Sequence, residues 1–222
     1  MKTLSTTFAL LAALTASSGV QALQPSDRTN NWEATLIISD VQGDSYAGYN
    51  GSSAKTLGDE GFGFGIGYNV DENLSFTGYI NWADLKYDAV IKREDGNDEF
   101  INMGTLDIRT FGFNGTYNLM RKSFTPFVTG GLGITYYDTN IVNSPPYTTC
   151  WYDPWYGYFC DTVVPTKDGT DFSYNVGAGL RWDVNDKFFM KLAANQMWLD
   201  SDGQVDSPAF LSYTLELGTK FY

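Results

Sequence analysis

Residues 61–70 read GFGFGIGYNV, and this run restricts the chain more than any other. Gly61, Gly63, Gly65, Gly67 and Asn69 alternate with Phe62, Phe64, Ile66, Tyr68 and Val70. A helix would scatter those large side chains around its axis. An extended strand sorts them onto one face and leaves the other nearly bare. A soluble sheet turns its apolar face inward and its polar face to water. Here the second face is made of glycine, which suits a strand whose apolar face meets lipid and whose small face lines a narrow bore.

The same alternation recurs at Trp32/Ala34/Leu36/Ile38, Leu74/Phe76/Ile80/Trp82, Phe111/Phe113/Tyr117 and Phe124/Val128/Leu132/Ile134/Tyr136. It returns at Phe172/Tyr174/Val176/Ala178/Leu180/Trp182, Phe188/Met190/Leu192/Ala194/Trp198 and Leu211/Tyr213/Leu215/Leu217/Phe221. With the opening run this makes eight segments, an even number. The connections near 71–73, 120–123 and 184–186 are tight, and those near 41–60, 85–99, 139–169 and 199–207 are long. Short turns on one rim and long loops on the other are the arrangement of an eight-stranded antiparallel transmembrane β-barrel, with its long loops outside the cell. Trp32, Phe124, Trp182, Phe188 and Phe221 form the expected periplasmic girdle; Trp82, Tyr136 and Trp198 lie near the outer one. Three-residue turns at 71–73 and 184–186 keep the phase across each hairpin. Leu106 and Ile108 fall out of phase with Phe111 and Phe113. Either a bulge intervenes or the strand projects beyond the membrane with Asp107 and Arg109 outward; projection is the reading adopted.

Such a barrel must be exported. Lys2 followed by the apolar stretch Phe8–Ala16 and the small-residue site Val20-Gln21-Ala22 reads as a signal peptide over residues 1–22, cut after Ala22, with the barrel domain over 23–222. No later stretch is apolar enough for a helical span. The chain has no histidine, which excludes Ser-His and Cys-His nucleophile pairs and imidazole metal sites. No enzyme activity, cofactor or metal is expected. A net charge of −12 disfavours a nucleic-acid partner.

The stretches FTPFVTGGLGITYY (124–137) and FSYNVGAGLRWDVNDKFFMKLA (172–193), with the closing LGTKF (217–221), resemble the small outer-membrane β-barrel family that includes the transmembrane domain of outer membrane protein A. The resemblance covers essentially all of residues 23–222. It implies insertion in the outer membrane of a Gram-negative-type cell among lipid and lipopolysaccharide. It also implies delivery by the barrel-assembly machinery, with Leu217, Gly218, Phe221 and Tyr222 as the assembly signal. The peptidoglycan-binding domain of some relatives is not expected, nor is cell-wall tethering.

Two groups of residues carry the functional expectations. By phase, Glu33, Arg181, Lys191 and Glu216 all point into the periplasmic half of the bore. They read as a gate or narrow ion path, or as a structural plug; the plug is adopted because eight strands leave room for little more than side chains. In that reading Asp183 faces Lys187 across the turn and Lys191 faces Gly179. The third long loop holds CWYDPWYGYFC, in which Cys150 and Cys160 are the expected disulfide of an exported protein. Trp151, Tyr152, Trp155, Tyr156, Tyr158 and Phe159 between them are either a surface that contacts an unknown ligand or a cap folded over the barrel mouth. Asp95, Asp98, Glu99, Asp168, Asp171, Asp200, Asp202 and Asp206 read as a solvated acidic rim in preference to cation bridging to lipopolysaccharide. The whole is read as a structural or surface-interaction protein with a closed lumen. The alternatives are a narrow passive channel and a soluble exported barrel for a small apolar ligand.

Overall fold

The computed structural model describes residues 27–47, 51–92, 99–142, 147–155, 157–163, 166–200 and 209–221. The expected leader, Tyr156, Tyr222, Asp95, Asp98, Asp202 and Asp206 lie outside the described residues. The twelve strands are β1 (Trp32–Val41), β2 (Ser45–Ala47), β3 (Ser53–Leu57), β4 (Asp59–Asn69), β5 (Leu74–Ile91), β6 (Glu99–Asn118), β7 (Phe124–Val142), β8 (Tyr147–Asp153), β9 (Gly157–Val163), β10 (Thr166–Asp183), β11 (Phe188–Asp200) and β12 (Ala209–Phe221). Eight of them, in the order β1-β12-β11-β10-β7-β6-β5-β4, close into an antiparallel barrel through the β4–β1 pair. Pairing of Trp32 with both Tyr68 and Phe221 seals the first strand between the second and the last. The short β2 and β3 extend the wall above β5, and β8 with β9 forms a separate two-stranded hairpin.

Turn chemistry sets the register. The β10–β11 connection is a four-residue turn, Val184–Lys187, because the Asn185 side chain accepts from the backbone N–H of Lys187 and Phe188, both at 2.8 Å. The expected three-residue turn is therefore corrected: Asp183 pairs with Phe189, Lys191 with Arg181, and Gly179 with Ala193. The partners move by two residues, so no side chain changes face. The β4–β5 turn is built alike, over residues 70–73. Asp71 accepts from the N–H groups of Leu74 and Asn73, and these bonds hold its carboxyl below the usual carboxylate range.

Three of the expected long loops are corrected too, since residues 45–47, 53–57 and 59–60 of the first are already strand. Residues 85–91, 99–105, 139–142 and 166–171 are strand, because β5, β6, β7 and β10 go on pairing past the apolar belt. Along these strands polarity inverts. In β5, Phe76, Ile80 and Trp82 face out, but above them Asp84 and Lys86 face out while Ala83, Leu85 and Tyr87 are buried inside. In β6, Phe111 and Phe113 face out below, and above them Arg109 is exposed while Ile108 is buried. Pairing of β6 with β7 is unbroken from Leu106 to Asn118, so projection holds and no bulge is needed there. The change from apolar-out below to apolar-in above marks the level where lipid gives way to water. From Leu74 to Trp82, about nine residues at ~3.3 Å each and a tilt near 40° rise about 23 Å, close to the apolar band of outer-membrane barrels.

Candidate functional site

Three layers of side chains line the bore. The lowest is a floor of charge. Arg181, fully buried, meets Glu33 at 2.6 Å and Asp183 at 2.9 Å, and lies over the Phe189 ring with its guanidinium carbon 4.3 Å from the centroid. Lys191 meets Glu216 at 3.3 Å and Glu33 at 3.8 Å. The structure thus brings the four expected lumen residues together. It adds Asp183, Lys220, Arg28 and Asn69. Lys220 reaches Asp183 at 3.4 Å and the Asn69 amide donates to Glu33 at 2.8 Å. Asp183 and Lys220 share the inward phase of Arg181 and Glu216, so alternation alone could have found them. Arg28 precedes β1 and has no strand phase. Its Nε meets Asp183 at 2.6 Å, and its other nitrogens donate to the backbone oxygens of Glu72, Met120 and Lys122. One guanidinium thereby ties the segment before β1 to two short connections and to the end of β10. With four cations and three carboxylates, the floor is not the balanced two-by-two set expected from the sequence.

Glycine makes room for this layer. A Cβ at Gly218 would run into the Phe189 ring that backs Arg181, and one at Gly179 would meet the Phe127 ring at 2.8 Å. Gly218→Ala should therefore cost about 1–3 kcal/mol by overpacking, read as an earlier urea midpoint, while Gly115→Ala, whose nearest neighbour is Phe76 at 3.5 Å, should cost less.

The middle layer is uncharged. Thr135 bridges Thr110 and Ser173, each at 3.0 Å, and the Asn175 amide donates to Asn114 at 3.0 Å and to the Tyr79 hydroxyl at 3.3 Å. The uppermost layer is an apolar roof of Val41, Ala83, Leu85, Ile108, Leu199 and Phe210, with Leu106 and Met197 against it. In the strand order, β6 stands diametrically opposite β12, and β5 opposite β11. Side chains from these strands meet in one cluster only by crossing the bore. Leu106 and Ile108, the residues whose phase looked anomalous, are part of this closure.

Outside the barrel, Cys150 and Cys160 form a disulfide between directly paired positions of β8 and β9. Tyr152 and Tyr158 pair on the same face with ring centroids 5.2 Å apart. Tyr147, Tyr152, Trp155 and Tyr158 are exposed, Trp155 by 87%. Trp151 and Phe159 face each other in the backbone ladder. Of the acidic residues, Asp84, Asp107, Asp138 and Asp168 stand abreast on neighbouring strands, just above Trp82 and Tyr136. Asp171 is half-buried; Asp200, at the end of β11, is exposed. No group of three or more potential ligands among the described residues is arranged to hold a metal ion.

An apolar exterior around a bore closed by side chains is the geometry of a lipid-embedded barrel, and the sequence agrees. The model of the outer membrane protein beta-barrel domain matches residues 6–221. The chain belongs to this family. The eight strands of its barrel are transmembrane β-strands of the outer membrane, which leaves no place for the soluble-barrel alternative. Solved structures that share the fold include these two. The outer membrane protein OprG from Pseudomonas aeruginosa is 12% identical, with a TM-score of 0.54, over 89% of this chain and 98% of that one. Neisserial surface protein A is 12% identical, with a TM-score of 0.51, over 85% and 95% respectively. A comparison with curated proteins finds none that matches the sequence.

Proposed function

We propose that this family member is exported by a leader cut after Ala22, has a closed lumen, and acts at the cell surface through the disulfide-closed β8–β9 hairpin. The observation that carries this reading is the hairpin. It joins strands that already project past the apolar belt, and it holds Tyr147, Tyr152, Trp155 and Tyr158 exposed. Exposed aromatic patches are a mark of interaction surfaces, because Tyr and Trp offer large rigid contact area at little entropic cost. The floor and the roof both bring side chains of non-neighbouring strands together across the bore, which favours this reading over a passive channel. The absence of histidine supports a binding role over catalysis. Outer-membrane lipid and lipopolysaccharide are its surroundings. Leu217, Gly218 and Phe221 at the end of β12, with Tyr222 after them, are the signal for the barrel-assembly machinery.

Two measurements test it. A tag inserted near Asn97 or Gly203 should be labelled on intact cells; labelling only after permeabilisation reverses the orientation. Cells producing the chain should adhere to cultured epithelial monolayers more than cells lacking it, and the triple variant Tyr152→Ala/Trp155→Ala/Tyr158→Ala should lose that gain while its barrel still folds. An undiminished gain in the triple variant removes the hairpin from the function.

A further inference from the structure

Between floor and roof the bore is not filled. A cavity of about 120 Å³ lies there, with Val41, Ile108 and Phe210 above it and Lys191 and Glu216 below. Two of its wall residues, Thr35 and Ser39, are only 5% and 2% exposed, and neither hydroxyl has a hydrogen-bond partner among the described residues. The buried amide oxygen of Asn81, on the same wall, is in the same position. Buried polar atoms are almost always hydrogen-bonded, to protein or to ordered water. A water needs only about 10–15 Å³ of such space together with two or more polar partners, so this volume takes several.

The two closures oppose passage differently. The floor holds seven charged side chains backed by the Phe189 ring, and a solute crossing it exchanges one set of hydrogen bonds for another. The roof offers none: Leu85 is fully buried at its centre, and the side chains meeting it are aliphatic or aromatic. A small polar molecule entering from the outer side must shed its hydrogen bonds inside an apolar constriction, the condition under which narrow pores dewet and close.

We propose that the chamber is a binding site for water and small neutral hydrogen-bonding solutes, and that the apolar roof, not the charged floor, is the barrier that keeps such solutes out. The inference rests on the closed-lumen reading. Access to the chamber is set by the size of the roof side chains and is indifferent to the ion pairs beneath.

The native cysteines are joined in a disulfide, so Ser39→Cys places the sole free thiol in the chamber wall. The full chain, folded in detergent micelles, is treated with methyl methanethiosulfonate, a small neutral thiol reagent. Labelling should be slow with the native roof, at least about tenfold faster in a Leu85→Ala/Phe210→Ala background, and unchanged by Arg181→Gln. Only preparations that keep the heat-sensitive mobility of a folded barrel are read. Val41→Ala, a smaller cut in the same roof, serves where the double variant does not fold, and should accelerate labelling to a lesser extent. Fast labelling with the native roof overturns the proposal. So does an Arg181→Gln rate equal to that of the trimmed roof, or an unchanged rate in the trimmed roof. Failure of the closed-lumen reading is read separately, as a steady single-channel current from the unmodified chain.

Discussion

Asp183→Asn should weaken the barrel more than any other single charge removal in the floor, by about 3–5 kcal/mol where water does not enter to relieve it. Its carboxylate receives Arg28 at 2.6 Å, Arg181 at 2.9 Å and Lys220 at 3.4 Å. Its loss leaves three buried cations against one another, with Glu33 as the nearest remaining acid. Arg181→Gln should fall in the same range, since it leaves Glu33 only Lys191 at 3.8 Å and the Asn69 amide and withdraws a partner from Asp183. Glu216→Gln is different. Its side chain is 22% exposed and meets Lys191 alone at 3.3 Å, and Lys191 keeps Glu33 as a second acid. Its cost should be within about 1 kcal/mol. The measurement is the urea midpoint at which the folded gel form disappears, with the protein in lipid vesicles. Equal shifts for all three variants would mean that the floor is wet enough to screen its pairs.

Breaking the Cys150–Cys160 bridge should free the hairpin and leave the barrel as it is. The β8–β9 pair touches no barrel strand through its hydrogen-bond ladder, and an isolated two-stranded hairpin is marginal in water. Closing a loop with a sequence separation of 10 contributes on the order of 3 kcal/mol in the chain-entropy model. Nearly all of the hairpin's order therefore rests on that bond. Reduction, or Cys150→Ser/Cys160→Ser, should raise the rate of proteolysis between Tyr147 and Val163 by roughly a hundredfold, while the urea midpoint of the barrel stays where it was. Adhesion through the exposed rings should fall with it. Alkylation of both cysteines without a reductant, in protein isolated from cells, would show that the bridge does not form.

Lipid exposure was legible in the chain because a strand alternates with period two. Every residue from Trp32 to Phe221 that alternation assigned to the outer face of the belt lies there, and the charges it assigned inward, Glu33, Arg181, Lys191 and Glu216, meet inside the bore. Phase is a local property, fixed by the backbone geometry of one strand, and survives without knowledge of the neighbours. Register does not. The pairing of Lys191 with Arg181 instead of Gly179 depends on one side chain, Asn185, lengthening a turn, and a two-residue slip leaves the alternation untouched.

Whatever requires two distant segments to meet was decided by tertiary structure. Leu106 and Ile108 read as an interruption of the pattern. They become a roof only because β6 stands across the bore from β12, where Phe210 faces them. Arg28 carries no periodicity at all, yet it lies at the closed end of the barrel with four oxygens around it. Composition and alternation determined that this chain crosses a membrane as a closed sheet, since only that fold pairs every strand while turning its apolar faces to lipid. How the bore is closed, by charge below, by hydrocarbon above, and around a polar chamber between them, follows from which strands become neighbours and which become opposites.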